Sequence, residues 1–400
     1  MKLVIHTQYY PPEIGAPQAR LSELATMLAK KGVDVTILTA MPNYPHGKIL
    51  DGYGGLRQIE TQNGIRIVRT WIYPTQSAKL IPRLANYFSF VFSSLLIGGW
   101  SIGRADYLLT ESPPLFLGMS GFLLSRWKRA KWLFNVSDLW PESAVRLGVL
   151  NDGWALRVSQ WLERFCYQQS FAVTGQSKSI LGDIEARFPD VRRYHLSNGV
   201  DTTKFGRKFA NPAAFDKQEG QLIAIYAGLH GLAQGLDQVL HAADQLRDLT
   251  HLRFVLIGDG PEKQALIALA KQLGLENVSF WDPLPKASIP PLVAAADMAL
   301  VPLKLFLPGA VPSKVYEAMA SSIPVVLVAD GEAADIVREN EAGVVVTMGD
   351  VEQLAAKIRF LAENSAERDK MGTAGRRSAE TKFDRAAIAA RFHQFLGQHV

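Results

Sequence analysis

Cysteine is nearly absent from this chain. Cys166 is the only one in 400 residues, which excludes an intrachain disulfide and any metal site built on cysteines. It lies in Trp161-Leu-Glu-Arg-Phe-Cys-Tyr167, an amphipathic helical pattern in which the thiol reads as a packed core group. A strong charge excess is also missing. Forty-three basic against 38 acidic residues leave +5, with the basic residues scattered along the chain. That balance favours anionic partners, but no DNA- or RNA-binding motif accompanies it, so no nucleic-acid partner is expected. There is no low-complexity tract and no short-period repeat. No cluster has metal-ligand spacing, so no metal site is expected. Met1-Lys-Leu-Val-Ile-His6 runs straight into a strand rather than through a signal peptide. Together with the lone cysteine, this leads us to expect a reducing, cytoplasmic location.

What is present is a series of short apolar runs alternating with helical stretches. At 400 residues and 48% hydrophobic, the chain exceeds one ordinary core and is expected to form two domains. Lys2 to Thr7 reads as a buried parallel strand. Tyr9-Tyr-Pro-Pro-Glu-Ile-Gly-Ala-Pro17 breaks regular structure. Leu21, Leu24, Ala25 and Leu28 then recur at helical spacing before Gly32, and Val33 to Thr39 reads as a second strand. This is a βαβ unit. Open parallel sheets bind ligands beyond the carboxyl ends of their strands, so the loop from Tyr9 to Gln18 is a candidate site, with Glu13, Gly15 and Gln18 its notable members. His6 ends the first strand, where it either faces a ligand or fills the core. Further strand-like runs are Ile65 to Trp71, Tyr107 to Thr110, Trp132 to Val136 and Phe171 to Gly175. Asp138 follows the third of these, either as an orienting carboxylate or as a helix N-cap.

Leu84 to Gly103 holds no charged residue over 20 positions, the length of a membrane span. Asn86, four serines and three glycines within it argue against a true span. Two readings stay open: a face resting on a bilayer, and a buried domain helix. Trp127-Lys-Arg-Ala-Lys-Trp132 mixes basic and aromatic residues as interfacial segments do, and also fits a solvated turn. Seven of the eight tryptophans precede residue 165, which tilts the expectation toward a large apolar partner for the first half.

The second half begins again after the polar stretch Arg207 to Gly220. Strand-like runs occur at Ile223 to Ala227, Phe254 to Ile257, Val278 to Trp281, Met298 to Leu303, Val325 to Val328 and Gly343 to Val346. Helical patterns separate them. Glycines mark two loops, Gly228-Leu-His-Gly-Leu-Ala-Gln-Gly235 and Gly258-Asp-Gly-Pro261. Gly309-Ala-Val-Pro-Ser-Lys-Val-Tyr-Glu-Ala-Met-Ala320 lies between two strands. Ser313 reads as a helix N-cap and Glu317 as the acid of a capping box. Lys314 then falls in the first turn, where its charge opposes the helix dipole unless an anion shares the site. A diphosphate cradle is one reading, and a solvated surface lysine the other. The tail from Ser378 to Phe395 reads as a helix that crosses back.

These features stand in a set order: Ser197-Asn-Gly-Val-Asp201, the Gly228–Gly235 loop, Ile257-Gly-Asp-Gly-Pro261, Ala296-Asp297, Val301-Pro302, Ser313-Lys-Val-Tyr-Glu-Ala-Met-Ala320, Ile323-Pro-Val-Val326 and Ala342-Gly343. The set resembles glycosyltransferase family 4, retaining enzymes of GT-B fold, over nearly the whole chain. Asp138-Leu-Trp-Pro-Glu-Ser143 and Val311-Pro-Ser-Lys314 resemble bacterial members that make lipid-linked surface polysaccharides with deoxysugars such as N-acetyl-fucosamine or fucose. The resemblance implies an α/β chain with two Rossmann-like domains facing a cleft. Residues 1–203 would bind the acceptor and 204–377 the donor, and 378–400 would return to the first domain. It implies a UDP- or GDP-linked sugar contacted by Gly228, Leu229, Gly231, Gln234, Gly258, Gly260, Pro283, Ser313, Lys314 and Glu317. It implies a polyprenyl-diphosphate-linked acceptor near His6, Glu13, Gly15, Gln18 and Asp138. It further implies peripheral contact with the cytoplasmic face of the inner membrane. Asp138, Lys314 and Glu317 are the expected catalytic residues, and no cofactor or metal is expected. The charge on a diphosphate leaving group must be neutralised, and here Lys314 and glycine-loop amides are the groups for it. Glu317 matches the family glutamate that holds the ribose hydroxyls.

The departures from the family pattern carry information too. Gly309 stands where the partner of Glu317 would be, so the glutamate that touches the donor sugar is missing, which fits a sugar with fewer hydroxyls. Gln234 replaces a basic residue, whose charge Lys314 supplies from the other side. A family histidine at a first-domain strand end is replaced near Ser137, with Asp138 beside it. A sugar-nucleotide epimerase of the same architecture and a membrane-associated scaffold with a degenerate nucleotide site are the competing readings. The Gly228–Gly235 loop lacks the spacing of a dinucleotide fingerprint.

Overall fold

The computed structural model of the chain describes residues 1–13, 15–77, 79–146, 153–306 and 308–399. The chain divides into two compact units, Met1–Asn198 with Ile388–Val400, and Gly199–Ala387.

The first unit is built on β1 (Lys2–His6), β2 (Asp34–Ala40), β3 (Arg57–Gln62), β4 (Ile65–Thr70), β5 (Tyr107–Ser112), β6 (Lys131–Val136), β7 (Ala172–Gly175) and β8 (Arg193–His195). They form one eight-stranded sheet in the order β3-β4-β2-β1-β5-β6-β7-β8. Neighbours run parallel except β3 and β4. Those two form a hairpin on Asn63-Gly64, whose φ angles of 51° and 77° are the left-handed pair that such a turn needs. Polar β3 suits an edge and lies outside the strands expected from the sequence. The inner strands are apolar on both faces: Leu3 and Ile5 enter one core, and Val4 the other. That is the signature of a parallel sheet covered on both sides.

The second unit holds β9 (Leu222–Ala227), β10 (Leu252–Ile257), β11 (Val278–Trp281), β12 (Met298–Pro302), β13 (Val325–Val328) and β14 (Gly343–Val346). Its six strands are all parallel, in the order β11-β10-β9-β12-β13-β14. Along β9, Ile223 and Ile225 enter one core while Ala224 and Tyr226 enter the other. The sequence steps outward from β9 in one direction and from β12 in the other. The switch point between them is where a sheet of this kind opens a crevice at its carboxyl edge. The first sheet has the same reversal between β1 and β5.

The division falls a few residues earlier than residue 203, because Val200 belongs to the second core and bridges to Asp384. The expected tail helix is two helices. Ser365–Ser378 runs into a π-helical turn, Ala379–Phe383, and the chain becomes extended at Asp384. The Asp384 carboxylate accepts from Thr202 Oγ1 at 2.7 Å and from the Ala387 amide at 3.1 Å. Helix Arg385–Gly397 then places Ile388, Ala389, Phe392 and Leu396 in a core of the first unit, and Tyr107 Oη donates to the Leu396 carbonyl at 2.7 Å.

The uncharged stretch forms helix Leu80–Ser93, a π-helical turn Ser94–Gly98 and a short helix Gly99–Ser101. No helix among the described residues is long and apolar enough to cross a membrane. Gly98 and Gly99 allow close packing. A Cβ would stand 2.6 Å from Leu38 at the first and 2.0 Å from Trp127 at the second.

His6, at the end of β1, is wholly buried beside Phe90, and neither ring nitrogen has a hydrogen-bond partner among the described residues. Burial lowers its pKa from 6.5 to about 3. The fold favours the neutral ring, so the unfolded chain takes up the proton first. Stability from this residue is complete above 6.5 and is lost as pH falls toward 3, at about 1.4 kcal/mol per pH unit. Urea unfolding of His6→Leu at several pH values should show a shallower loss between pH 6.5 and 4 than the parent; identical slopes would refute the assignment.

Candidate active site

The expected donor residues gather at the carboxyl edge of the second sheet. Gly228–Gly235 follows β9, Gly258–Pro261 follows β10, and Pro283 is exposed after the edge strand β11. Helix Ser313–Ala320 follows β12. The two glycine loops are stitched together by backbone. The Gly228 amide donates to the Ile257 carbonyl at 2.8 Å, His230 to Asp259 at 2.8 Å, and Glu262 to His230 at 3.0 Å. Tyr226 Oη holds the Leu229 carbonyl at 2.6 Å. At Gly258 and Gly260 φ is +142° and +155°, and a Cβ would meet the carbonyl oxygens of Gly228 and His230 at 1.9 and 2.4 Å. Both positions therefore require glycine to seat the donor loop. Gly231 is buried beside the half-buried Gln234, whose Oε1 would lie 2.6 Å from a Cβ at 231, while Leu229 is exposed.

Lys314 comes to this loop from the helix. A Cβ on Gly228 would stand 2.5 Å from Lys314 Nζ. The ammonium lies over the Tyr226 ring, 5.2 Å from its centroid. Among the described residues it has no ion-pair partner within 4.0 Å. Burial lowers its pKa, and the charge of Glu317 acts in the opposite direction. Glu317 is the next residue but two along the same helix, and its carboxylate makes no hydrogen bond or ion pair with a described group. Lys314 is half-buried, and a partly desolvated cation without a counter-ion is costly. An anion at this point would offset that cost.

The helix start differs from the expectation. Pro312 occupies the cap position with φ −61°, Ser313 is the first helical residue, and among the described residues no side chain caps the first turn. The fixed φ of proline begins the helix one residue early, so Glu317 lies beyond the capping-box position. The first-turn amides thus lack a side-chain acceptor, and the dipole adds its partial positive charge. Gly309 has φ +74°, a left-handed conformation that disfavours a glutamate there.

His230 was not singled out from the sequence. It is fully buried between Tyr226 and Phe280, and neither ring nitrogen reaches a hydrogen-bond partner of good geometry among the described residues. Burial, then the Lys263 charge, lowers its pKa. The signal for it was a histidine inside a glycine-rich loop.

In the first unit, Glu13 is buried. Its Oε1 accepts from the Asn43 and Tyr44 amides, both at 2.8 Å, and its Oε2 from Tyr10 at 3.2 Å. Burial raises its pKa against these bonds. Glu13 therefore ties the loop after β1 to the loop after β2. Gly15 caps helix Ala16–Lys30 in an extended conformation, and Gln18 folds back beside it with Oε1 unpartnered. Asp138 is half-buried. The next helix begins at Glu142, so Asp138 does not occupy its cap position; its Oδ1 accepts from Ser143 Oγ. Burial is the main cause of its raised pKa, which Ser143 opposes.

A polar network missed in the sequence reading supports Asp138. Arg20 Nη2 meets Glu111 Oε1 and Ser137 Oγ at 2.6 Å each. Asn135 Nδ2 donates to Glu111 Oε2 at 2.6 Å, and Thr174 Oγ1 to Asn135 Oδ1 at 2.6 Å. Glu111, Asn135 and Thr174 lie on β5, β6 and β7, so the network ties these strands to Ser137, next to Asp138. Its signal was a set of polar residues at the ends of successive apolar strands.

Two largely parallel α/β sheets, one carrying this loop and helix arrangement, make up the GT-B architecture. Residues 208–378 match the model for glycosyl transferases group 1, and residues 15–199 match the glycosyl transferase 4-like domain. Between them they span most of the chain, which belongs to glycosyltransferase family 4. WcaI of Escherichia coli K12, whose name connects it with colanic acid biosynthesis, is 25% identical over 98% of each chain. WbjE of Pseudomonas aeruginosa, named as a glycosyltransferase, is 29% identical over 65% of this chain and 66% of its own. Among solved structures, Anabaena HepE in complex with UDP superposes with a TM-score of 0.73 at 17% identity and full coverage of both chains. WaaG, a glycosyltransferase involved in lipopolysaccharide biosynthesis, gives 0.68 at 17%, covering 98% of this chain and 99% of its own.

An anion beside Lys314 should raise its lowered pKa again. Binding of UDP or GDP at mildly alkaline pH should therefore take up protons. Calorimetric heats in buffers of unlike ionisation enthalpy should differ for the parent chain and agree for Lys314→Met. Equal heats in the parent would contradict the assignment.

Proposed function

We propose that this enzyme moves a sugar from a UDP- or GDP-linked donor to a polyprenyl-diphosphate-linked saccharide in surface polysaccharide synthesis, acting at the cytoplasmic side of the inner membrane. The observation that carries the proposal is the Lys314 ammonium, without an ion-pair partner among the described residues, packed against Gly228 at a helix start with no side-chain cap. In this reading the diphosphate lies on that ammonium and on the amides of the first helical turn and donor loop, with Ser313 beside it. Glu317 takes the ribose hydroxyls. Leu229, Gly231, Gln234 and Pro283 lie around the rest of the donor, while Gly258 and Gly260 hold the loop in place. The HepE complexes with UDP and with UDP-glucose support a nucleotide-sugar donor here by likeness of fold. The WcaI and WaaG names support the polysaccharide setting.

The transfer proceeds with retention and without a metal. The bond from the anomeric carbon to the diphosphate breaks as the acceptor hydroxyl forms its bond on the same face. The departing phosphate oxygen receives the hydroxyl proton. Lys314 and the helix amides stabilise the charge that develops on the diphosphate. Asp138, held by Ser143, orients the acceptor hydroxyl. Gly309 removes one carboxylate from the donor pocket, which favours a 6-deoxy sugar such as N-acetyl-fucosamine or fucose.

A panel of nucleotide sugars tested for transfer to a polyprenyl-diphosphate saccharide should give product with a 6-deoxy donor. Lys314→Ala should lower kcat by about 100-fold, the scale for losing one donor to a developing oxyanion, with an unchanged melting profile. Near-parental turnover would remove Lys314 from the chemistry, and a clear preference for glucose or mannose nucleotides would overturn the deoxysugar reading.

A further inference from the structure

Three helices of the first unit pack side by side over one face of its sheet. They are the Leu80–Ser101 run, helix Leu117–Lys128 and helix Trp154–Gln169. Trp100 of the first meets Trp127 of the second, with ring centroids 5.4 Å apart, and Phe122 of the second meets Phe165 of the third at 5.0 Å. The inward residues of the second and third helices, among them Leu124, Leu162 and Cys166, join the sheet core. Many of the outward residues are also apolar, set among exposed polar and basic ones such as Arg126, Arg157, Gln160 and Arg164. Trp100 is 81% exposed, Trp154 79%, Trp161 63% and Leu96 61%. Leu123 and Trp127 extend the row at helical spacing. Monomeric soluble proteins seldom expose so much contiguous apolar surface without a partner.

Charge identifies the partner. Residues 79–104, 116–131 and 153–169 carry nine lysines and arginines and one acid, Glu163. That acid is buried and neutralised by Arg187 at 2.7 Å. Lys128 Nζ sits 4.5 Å from the Trp127 ring centroid, and the Arg126 guanidinium 5.2 Å from that of Phe122. Cationic heads next to aromatic rings on an otherwise apolar face match the region between acyl chains and anionic headgroups. A second copy of this chain would bring like charges together across the contact.

We propose that this three-helix face docks on an anionic phospholipid bilayer, with Leu96, Trp100, Leu123, Trp127, Trp154 and Trp161 entering the interface and the basic residues on phosphate headgroups. No part of the chain spans the bilayer in this arrangement. The surface gives the proposed lipid-linked acceptor a physical setting, but its test needs neither donor nor acceptor. The full chain should float with phosphatidylcholine vesicles that contain phosphatidylglycerol, with a blue shift in tryptophan emission, and should bind pure phosphatidylcholine far less. Added salt should weaken binding. The double variant Leu96→Ser, Trp100→Ser should bind at least about tenfold more weakly, as expected for the apolar area removed. Lys128→Ser should bind about fivefold more weakly. Both should keep the parental melting profile and UDP or GDP binding.

Parental affinity of both variants for vesicles would overturn the proposal, as would failure of the parent to float with anionic vesicles at low salt. A dimer in light scattering that the double variant dissolves, without flotation of the parent, would overturn it in favour of self-association. Loss of vesicle binding with transfer activity retained on a soluble acceptor would support the docking surface. Vesicle binding by a chain that transfers no sugar would count against the proposed reaction alone.

Discussion

The second unit turns on one cation that has no counter-ion among the described residues. Lys314 is held over Tyr226 and against Gly228, with no carboxylate in ion-pair reach among the described residues. Burial has already weakened its hold on its proton. Such a group is tolerated where an anion completes it. The surrounding backbone suits the same role, since the helix that carries Lys314 has a proline at its cap position, which leaves its first-turn amides without a side-chain cap. The site is therefore an incomplete electrostatic assembly in the free chain, and under the proposed function the donor's diphosphate is the part that completes it.

The architecture supplies this arrangement through topology. The reversal of strand order between β9 and β12 separates the two segments that carry the cation and the glycine loop, and lets both end at the same sheet edge. Gly258 and Gly260 then hold the loop so closely that no side chain fits between the backbones. In the first unit the reversal between β1 and β5 does the same for the loop after β1 and for the Arg20–Glu111 network. A fully hydrogen-bonded buried network rigidifies what it touches. Here it reaches Ser137, next to Asp138.

The parallel strands were legible in the sequence because continuous apolar runs of four to six residues have few other uses in an α/β chain whose sheets are covered on both faces. β3 and β8 were not. The first is polar because its edge faces water, and the second is a three-residue run with polar members. Lys314 was legible as a charge in the wrong part of a helix. The cap was misplaced because Pro312 can start a helix as well as precede one, and nothing local separates those roles. His230 and the Arg20–Glu111–Asn135 network escaped for a different reason. Their significance is long-range: Arg20 and Glu111 are 91 residues apart. Burial likewise decides that the ring of His6 belongs to the core, and no local pattern carries that information. The tryptophan-rich first half was legible as an asymmetry, but only the fold turned it into one face of three helices.

A crystal structure of the chain with bound UDP or GDP tests the central claim most directly. The account predicts diphosphate oxygens within hydrogen-bond distance of Lys314 Nζ and of the first-turn amides of helix Ser313–Ala320, with Gly228 alongside. A nucleotide bound with its diphosphate elsewhere, and Lys314 still unpaired over Tyr226, would contradict it.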